Sequence, residues 1–124
     1  MAKILVVDDS EIARAELARP LKEAGFDITE ADNGLAALQF VKDGKFDMII
    51  TDVHMPIMNG IEFCEALRDE KVQNVPPIIV VSTEANPDMK VRGKAAGVKG
   101  WVIKPIDTQK LVQVCKKLIE TKAP

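Results

Sequence analysis

Ile4-Leu5-Val6-Val7-Asp8-Asp9 is an unbroken apolar run that stops abruptly at two acids. A continuous run of this kind, without polar alternation, marks a strand buried on both faces. Three further runs end in the same manner. Met48-Ile49-Ile50-Thr51 leads into Asp52, Ile78-Ile79-Val80-Val81 into Ser82-Thr83, and Trp101-Val102-Ile103 into Lys104-Pro105. In an open parallel sheet, ligands bind beyond the carboxyl ends of the strands. Four polar endings at four strand ends therefore describe one pocket, lined by three carboxylates, a hydroxyl and an ammonium.

Working outward, strands and helices alternate. The spacing predicts strands over 3–7, 26–31, 46–51, 78–81 and 100–103, with 26–31 at an edge. A first helix over 10–24 carries Ala13, Leu17, Leu21 and Ala24 on one face and stops at Gly25. Pro20 lies inside it and should bend it or loosen its last turn. Asp32-Asn33-Gly34 starts a second helix, with Ala37, Leu38 and Val41 facing in and Gly44 at its end. Residues 55–60 read as a loop, followed by a helix to about Asp69 with Ile61, Cys64 and Leu67 inside. Asn86-Pro87 is an N-cap followed by proline at the first helical position, and that helix stops at Gly97. Leu111, Val114, Cys115, Leu118 and Ile119 give the last helix the strongest amphipathic pattern. Crossovers of this length require parallel strands, and right-handed packing puts helices on both faces. The expected architecture is α/β, a doubly wound five-stranded parallel sheet with five helices on two faces.

The chain has 124 residues, which suits one domain over 1–124 with a core at about 3–118. Its net charge of −2 argues against nucleic acid, which calls for a basic stripe. No stretch approaches the roughly 20 apolar residues of a membrane span, and the first apolar run is too short for a signal peptide. Cys64 and Cys115 fall on apolar helical faces and read as reduced core thiols. Together these features point to the cytoplasm. The chain stops soon after the last helix, which leaves no room for an output domain, and 121–124 reads as a frayed end.

Three clustered carboxylates repel: two unit charges ~4 Å apart cost about 4 kcal/mol at an effective dielectric of ~20. Such a cluster calls for a cation or a bound proton. Hard oxygen ligands select Mg²⁺, with Mn²⁺ as a substitute, and Mg²⁺ keeps waters that phosphoryl oxygens can replace. The same crowding predicts that Asp9→Asn raises stability when metal is withheld. Lys104 supplies a positive charge and Ser82 a donor for further phosphoryl oxygens. Asp52 stands alone at a mid-sheet strand end and is the candidate nucleophile for an aspartyl phosphate, while Asp8 and Asp9 together suit a metal.

Asp8-Asp9, Asp52 with Met55-Pro56 and Gly60, Ser82-Thr83 and Lys104-Pro105, in this order and spacing, resemble the receiver domain of two-component response regulators, in particular the free-standing chemotaxis (CheY-like) type. The resemblance implies a flavodoxin-like strand order 2-1-3-4-5. It implies that Asp52 accepts a phosphoryl group from a histidine kinase. Asp9, Asp52 and the His54 backbone carbonyl would bind Mg²⁺ directly, with Asp8 acting largely through water. Ser82 would be the switch hydroxyl, with Thr83 beside it in the phosphoryl site, Lys104 would contact the acyl phosphate, and Lys104–Pro105 would be cis.

His54 is the lone histidine and reads as a loop residue at the pocket mouth; by resemblance, His54 and Glu84 tune dephosphorylation. Trp101 stands where relatives carry tyrosine or phenylalanine. It is the candidate switch aromatic, swinging inward as Ser82 moves toward the phosphoryl group. Lys90, Trp101, Ile103, Ile106 and Val114 are candidates for an output face made by the fourth helix, fifth strand and fifth helix. Expected partners are a histidine kinase, an output protein such as the flagellar motor switch and a phosphatase, with the chain itself a monomer and not an enzyme in the ordinary sense. Rival readings are a phosphate sink or relay, and a haloacid-dehalogenase-type aspartyl-phosphate phosphatase. The latter needs Asp-x-Asp on the first strand, where this chain has Asp8 and Ser10. A flavodoxin-like anion site is disfavoured because Asp8-Asp9 would repel a phosphate.

Overall fold

Successive side chains on a strand point to opposite faces, so a strand covered on both sides must be apolar throughout. That is the arrangement in the computed structural model, which describes residues 2–122. β1 (Lys3–Val7), β3 (Met48–Thr51) and β4 (Ile78–Ser82) form the middle of a parallel sheet, flanked by β2 (Asp27–Ala31) and β5 (Val98–Ile103). The order is β2-β1-β3-β4-β5, as the resemblance implied. Between the strands run α1 (Glu11–Glu23), α2 (Gly34–Asp43), α3 (Gly60–Asp69) and α4 (Pro87–Ala95), and α5 (Thr108–Lys122) follows β5. Thr121 and Lys122 continue α5 in backbone, and the expectation of a frayed end falls otherwise on residues outside those described.

The alternation divides the core. Leu5, Val7 and Ile49 point to one face and pack with Leu38 of α2 and Phe63 and Leu67 of α3. Ile4, Val6 and Ile50 point to the other and meet Leu17 and Leu21 of α1 and Leu111 and Cys115 of α5. A smaller group of Val53, Ile61 and Val80 lies beneath α4, joined by Met89, Val98 and Trp101. No helix is long and apolar enough to cross a membrane among the described residues.

Side-chain caps place the helix starts beside the carboxyl ends of the strands. Ser10 accepts from the Ala13 amide, Asn33 from Ala36 and Asn86 from Asp88. Asn59 and Glu62 form a reciprocal capping box at α3. The helix expected over 10–24 is present, and one strand boundary is corrected. α1 continues through Pro20, which has no amide to offer the Glu16 carbonyl, and Ala24 still donates to the Pro20 carbonyl at 3.1 Å. β5 begins at Val98, two residues early, and absorbs the addition with a register shift opposite Ile78 and Ile79. α4 departs most from amphipathic form. Gly93 is its buried residue, and its missing side chain lets Ile61 and the Trp101 ring approach, each within 3.3 Å of where a Cβ would stand.

Candidate functional site

The sheet order brings β1 beside β3, and Val7 pairs with Thr51, so Asp8 and Asp52 emerge side by side. The Asp52 amide donates to the Val7 carbonyl at 2.9 Å. β4 delivers Ser82 from the next strand, and β5 delivers Lys104, whose amide donates to the Ser82 carbonyl at 2.9 Å. Lys104 Nζ then reaches back across the strand ends, 3.1 Å from Asp8 Oδ2 and 3.3 Å from Asp52 Oδ2. The Lys104–Pro105 peptide is cis.

The two bridged acids differ in environment. Asp8 is 2% exposed, and its Oδ1 accepts from the Ser10 amide at 2.9 Å. Burial pushes its carboxyl above the ordinary range, outweighing the Ser10 amide and Lys104 ammonium that favour the anion. Burial also disfavours charge on Asp52, but there the Ser82 hydroxyl, the Val53 amide and Lys104 prevail and hold the carboxyl low. The Val53 amide lies 2.6 Å from Asp52 Oδ1. Lys104 loses charge stability through burial, yet Asp8 and Asp52 more than restore it, so its ammonium is held above the ordinary value. At neutral pH Asp52 is an ionised, oriented carboxylate beside a fixed positive charge.

Asp9 is exposed, so the crowding expected there falls on Asp8 instead, and the predicted stabilisation by Asp9→Asn loses its basis. Among the described residues no three acidic, histidine or cysteine side chains surround a single point. The donor chemistry nevertheless suits a hard divalent ion. Asp8 and Asp52 already share one cationic group, and Mg²⁺ keeps most of its waters and needs few carboxylates.

Ser82 is buried and its hydroxyl accepts from the Glu84 amide at 3.1 Å, whereas Thr83 is exposed and lines a cavity of about 780 Å³ between α1 and the Lys104–Pro105 turn. His54 is exposed at the mouth, with Nε2 2.7 Å from Glu84 Oε1. The His54 ring, then the Asn86 amide, hold the Glu84 carboxyl below its usual range. The Trp101 indole is half-buried against the Val53–Ile61–Val80 group, and Nε1 donates to the Glu84 carbonyl at 2.8 Å. Glu84 thus touches His54, Ser82 and Trp101 through different atoms. On the face formed by α4, β5 and α5, Lys90, Ile103 and Val114 are exposed and Ile106 is half-buried.

Sequence reasoning missed Arg14, Thr51 and Val91. Arg14 Nη1 donates to the Asp8 carbonyl at 2.7 Å, and its Nε pairs with Glu30. Thr51 is a buried hydroxyl next to Asp52, signalled by one polar residue closing an otherwise apolar strand. Val91, 68% exposed on α4, joins the candidate output face.

Residues 4–116 match the model of the response regulator receiver domain. Chemotaxis protein CheY of Pseudomonas aeruginosa is 39% identical over 120 residues, covering 95% of this chain and 96% of that protein. Chemotaxis protein CheY-3 of Vibrio cholerae is 37% identical over 120 residues, covering 95% and 92%. The solved structure of chemotaxis protein CheY4 of Vibrio cholerae superposes with a TM-score of 0.86 at 38% identity, over 95% of this chain and 98% of that one. The phosphatase reading is thereby set aside. With a family match along almost all of its length and relatives this similar from end to end, the chain belongs to the response regulator receiver domains, as a receiver of the CheY type.

Proposed function

We propose that this receiver is a phosphoacceptor whose Asp52 takes a phosphoryl group from the phosphohistidine of a histidine kinase and thereby reshapes the face formed by α4, β5 and α5. The observation that carries this reading is the Lys104 ammonium shared by Asp8 and Asp52 beside the buried Ser82 hydroxyl. An Asp52 carboxylate oxygen attacks phosphorus, the P–N bond to the donor imidazole breaks, and the imidazole leaves with the electron pair. Phosphoryl transfer asks the protein chiefly for alignment and charge neutralisation. Lys104 meets one phosphoryl oxygen and the Ser82 hydroxyl donates to another. Asp8, Asp9 and Asp52, with the His54 carbonyl, would hold Mg²⁺, which supplies positive charge against the remaining oxygens. Mn²⁺ offers the same oxygen-seeking chemistry.

Drawing Ser82 toward the phosphoryl group disturbs the Glu84 amide that its oxygen now accepts from, and the Glu84 carbonyl holds the Trp101 indole. The switch thus runs through one residue to the aromatic side chain. The exposed Lys90, Val91, Ile103 and Val114 offer a mixed apolar and basic surface to a protein partner. The flagellar motor switch is the proposed partner, supported by similarity to chemotaxis proteins.

Acetyl phosphate with Mg²⁺ tests the first step. Intact-mass spectrometry should find one adduct of about 80 Da on the wild type, carrying the added charge of a phosphoryl group, and none on Asp52→Asn. An adduct of equal yield on Asp52→Asn would overturn the assignment. Binding to the motor-switch protein, with and without beryllofluoride, tests the output.

A further inference from the structure

Thr51 closes β3 after Met48, Ile49 and Ile50, and it is fully buried between Val7 of β1 and Val80 of β4. Valine has nearly the same shape and would suit that position without the cost of burying a hydroxyl. The hydroxyl must therefore serve a partner. Thr51 Oγ1 donates to the backbone carbonyl of Asp52 at 2.8 Å. The same carbonyl sits in a niche against Gly60, where a Cβ would stand 1.9 Å from its oxygen and 3.1 Å from Thr51 Oγ1. Next along the chain, the Gly60 amide donates to the Val53 carbonyl at 2.8 Å.

The Asp52 carbonyl and the Val53 amide belong to one rigid peptide plane. Its carbonyl end is held by Thr51 and its amide end holds Asp52 Oδ1 at 2.6 Å. Rotation of that plane would carry the amide away from Oδ1 and let the carboxylate turn. We propose that Thr51 is a positioning residue for the phosphoacceptor, its buried hydroxyl setting the orientation of the Asp52 carboxylate through the Asp52–Val53 peptide plane. The inference rests on Asp52 being the phosphoacceptor, and it adds a residue that touches neither the phosphoryl group nor a metal.

The test compares Thr51→Val, Thr51→Ser and Thr51→Ala with wild type. Two readouts are taken: the rate of the 80-Da adduct from acetyl phosphate at saturating Mg²⁺, and the Val53 amide proton shift by NMR without phosphodonor. In the transfer, an Asp52 oxygen bonds to phosphorus and the P–O bond to acetate breaks, acetate leaving with the electron pair. Thr51→Val should slow adduct formation about tenfold, the scale expected when a reacting group loses its alignment. It should also move the Val53 amide upfield as its bond to Oδ1 loosens. Thr51→Ser keeps the hydroxyl and should hold both readouts near wild type. Thr51→Ala lacks the same methyl as Thr51→Ser, so this pair isolates the hydroxyl even if Thr51→Val does not fold. Equal rates and equal Val53 shifts in the hydroxyl-bearing and hydroxyl-free variants would overturn the proposal, as would a Thr51→Ser protein no faster than Thr51→Ala. A wild-type protein that forms no adduct would overturn the phosphoacceptor reading, and this inference with it.

Discussion

Replacing Lys104 by methionine removes the ammonium that joins Asp8 and Asp52 while keeping most of the side chain's length. At 3.1 and 3.3 Å, an effective dielectric of ~20 gives each contact about 5 kcal/mol of gross attraction. Desolvation of the ions offsets much of this, as does the repulsion between the acids, about 3–4 kcal/mol at a separation one ammonium can span. Breaking a buried pair from one side costs about 3–5 kcal/mol, and a lysine side chain 25% exposed belongs at the low end. The expected loss is about 3 kcal/mol near pH ~8 in EDTA.

The loss should depend on pH in a definite direction. Burial already holds the Asp8 carboxyl above its ordinary value in the folded protein, and losing Lys104 raises it further. The folded variant then binds more protons than its unfolded chain in the window between the ordinary and the raised value. Its stability therefore rises as pH falls through that window, by up to ~1.4 kcal/mol per pH unit for one proton. Asp52 has the opposite sign in the wild type. Held low, it contributes stability above the ordinary carboxylate value that is lost as pH falls toward the depressed one. Both effects narrow the gap between variant and wild type in acid. Urea unfolding at several pH values, followed by circular dichroism, measures it. A gap below ~1 kcal/mol near pH ~8, or one that stays constant as pH falls through the ordinary carboxylate range, would refute the idea that Lys104 neutralises a crowded Asp8.

Three other perturbations separate the parts of the site. Gly60→Ala places a Cβ 1.9 Å from the Asp52 carbonyl oxygen, so the backbone must shift at a cost of about 4 kcal/mol or more; a thermal midpoint equal to wild type would contradict the close approach. Trp101→Phe loses the 2.8 Å bond to the Glu84 carbonyl and should lower stability by about 1–2 kcal/mol in urea titration, whereas no change would mean that the indole is not held there. Asp9→Asn, at an exposed position, should alter stability by no more than ~0.5 kcal/mol in EDTA. It should weaken the proposed stabilisation by Mg²⁺, which for the wild type at ~100 times Kd would amount to about 2.7 kcal/mol. A large gain in EDTA would locate the crowding at Asp9 after all.

Much of the fold was legible because burial on two faces leaves a strong mark on composition. Ile4–Val7, Met48–Ile50 and Ile78–Val81 can only be central strands, and Asn33 and Asn86 announce helix starts through local hydrogen bonding. Where local signals competed with packing, packing prevailed. Pro20 withholds the donor that would meet the Glu16 carbonyl, yet burial of Leu17, Ala18 and Leu21 carries α1 past it. Val98 and Lys99 carry no clear strand pattern, and pairing with β4 extends β5 over them.

The candidate site divides along the same line. Its residue types, at the ends of apolar runs, follow from the chain alone: acids after β1 and β3, a hydroxyl at β4, an ammonium after β5. Which of two adjacent acids is buried does not. Asp8 and Asp9 are chemically identical, and only the pleat and the approach of Lys104 turn Asp8 inward and leave Asp9 outside. Likewise Thr51, Gly60 and Glu84 gain their meaning from a niche, a close approach and a shared hub, each made by residues distant in sequence. Hydrophobic periodicity is a property of neighbours along the chain, so it can be read there. Desolvation and charge pairing depend on what the folded chain brings alongside, and those only the tertiary structure decided.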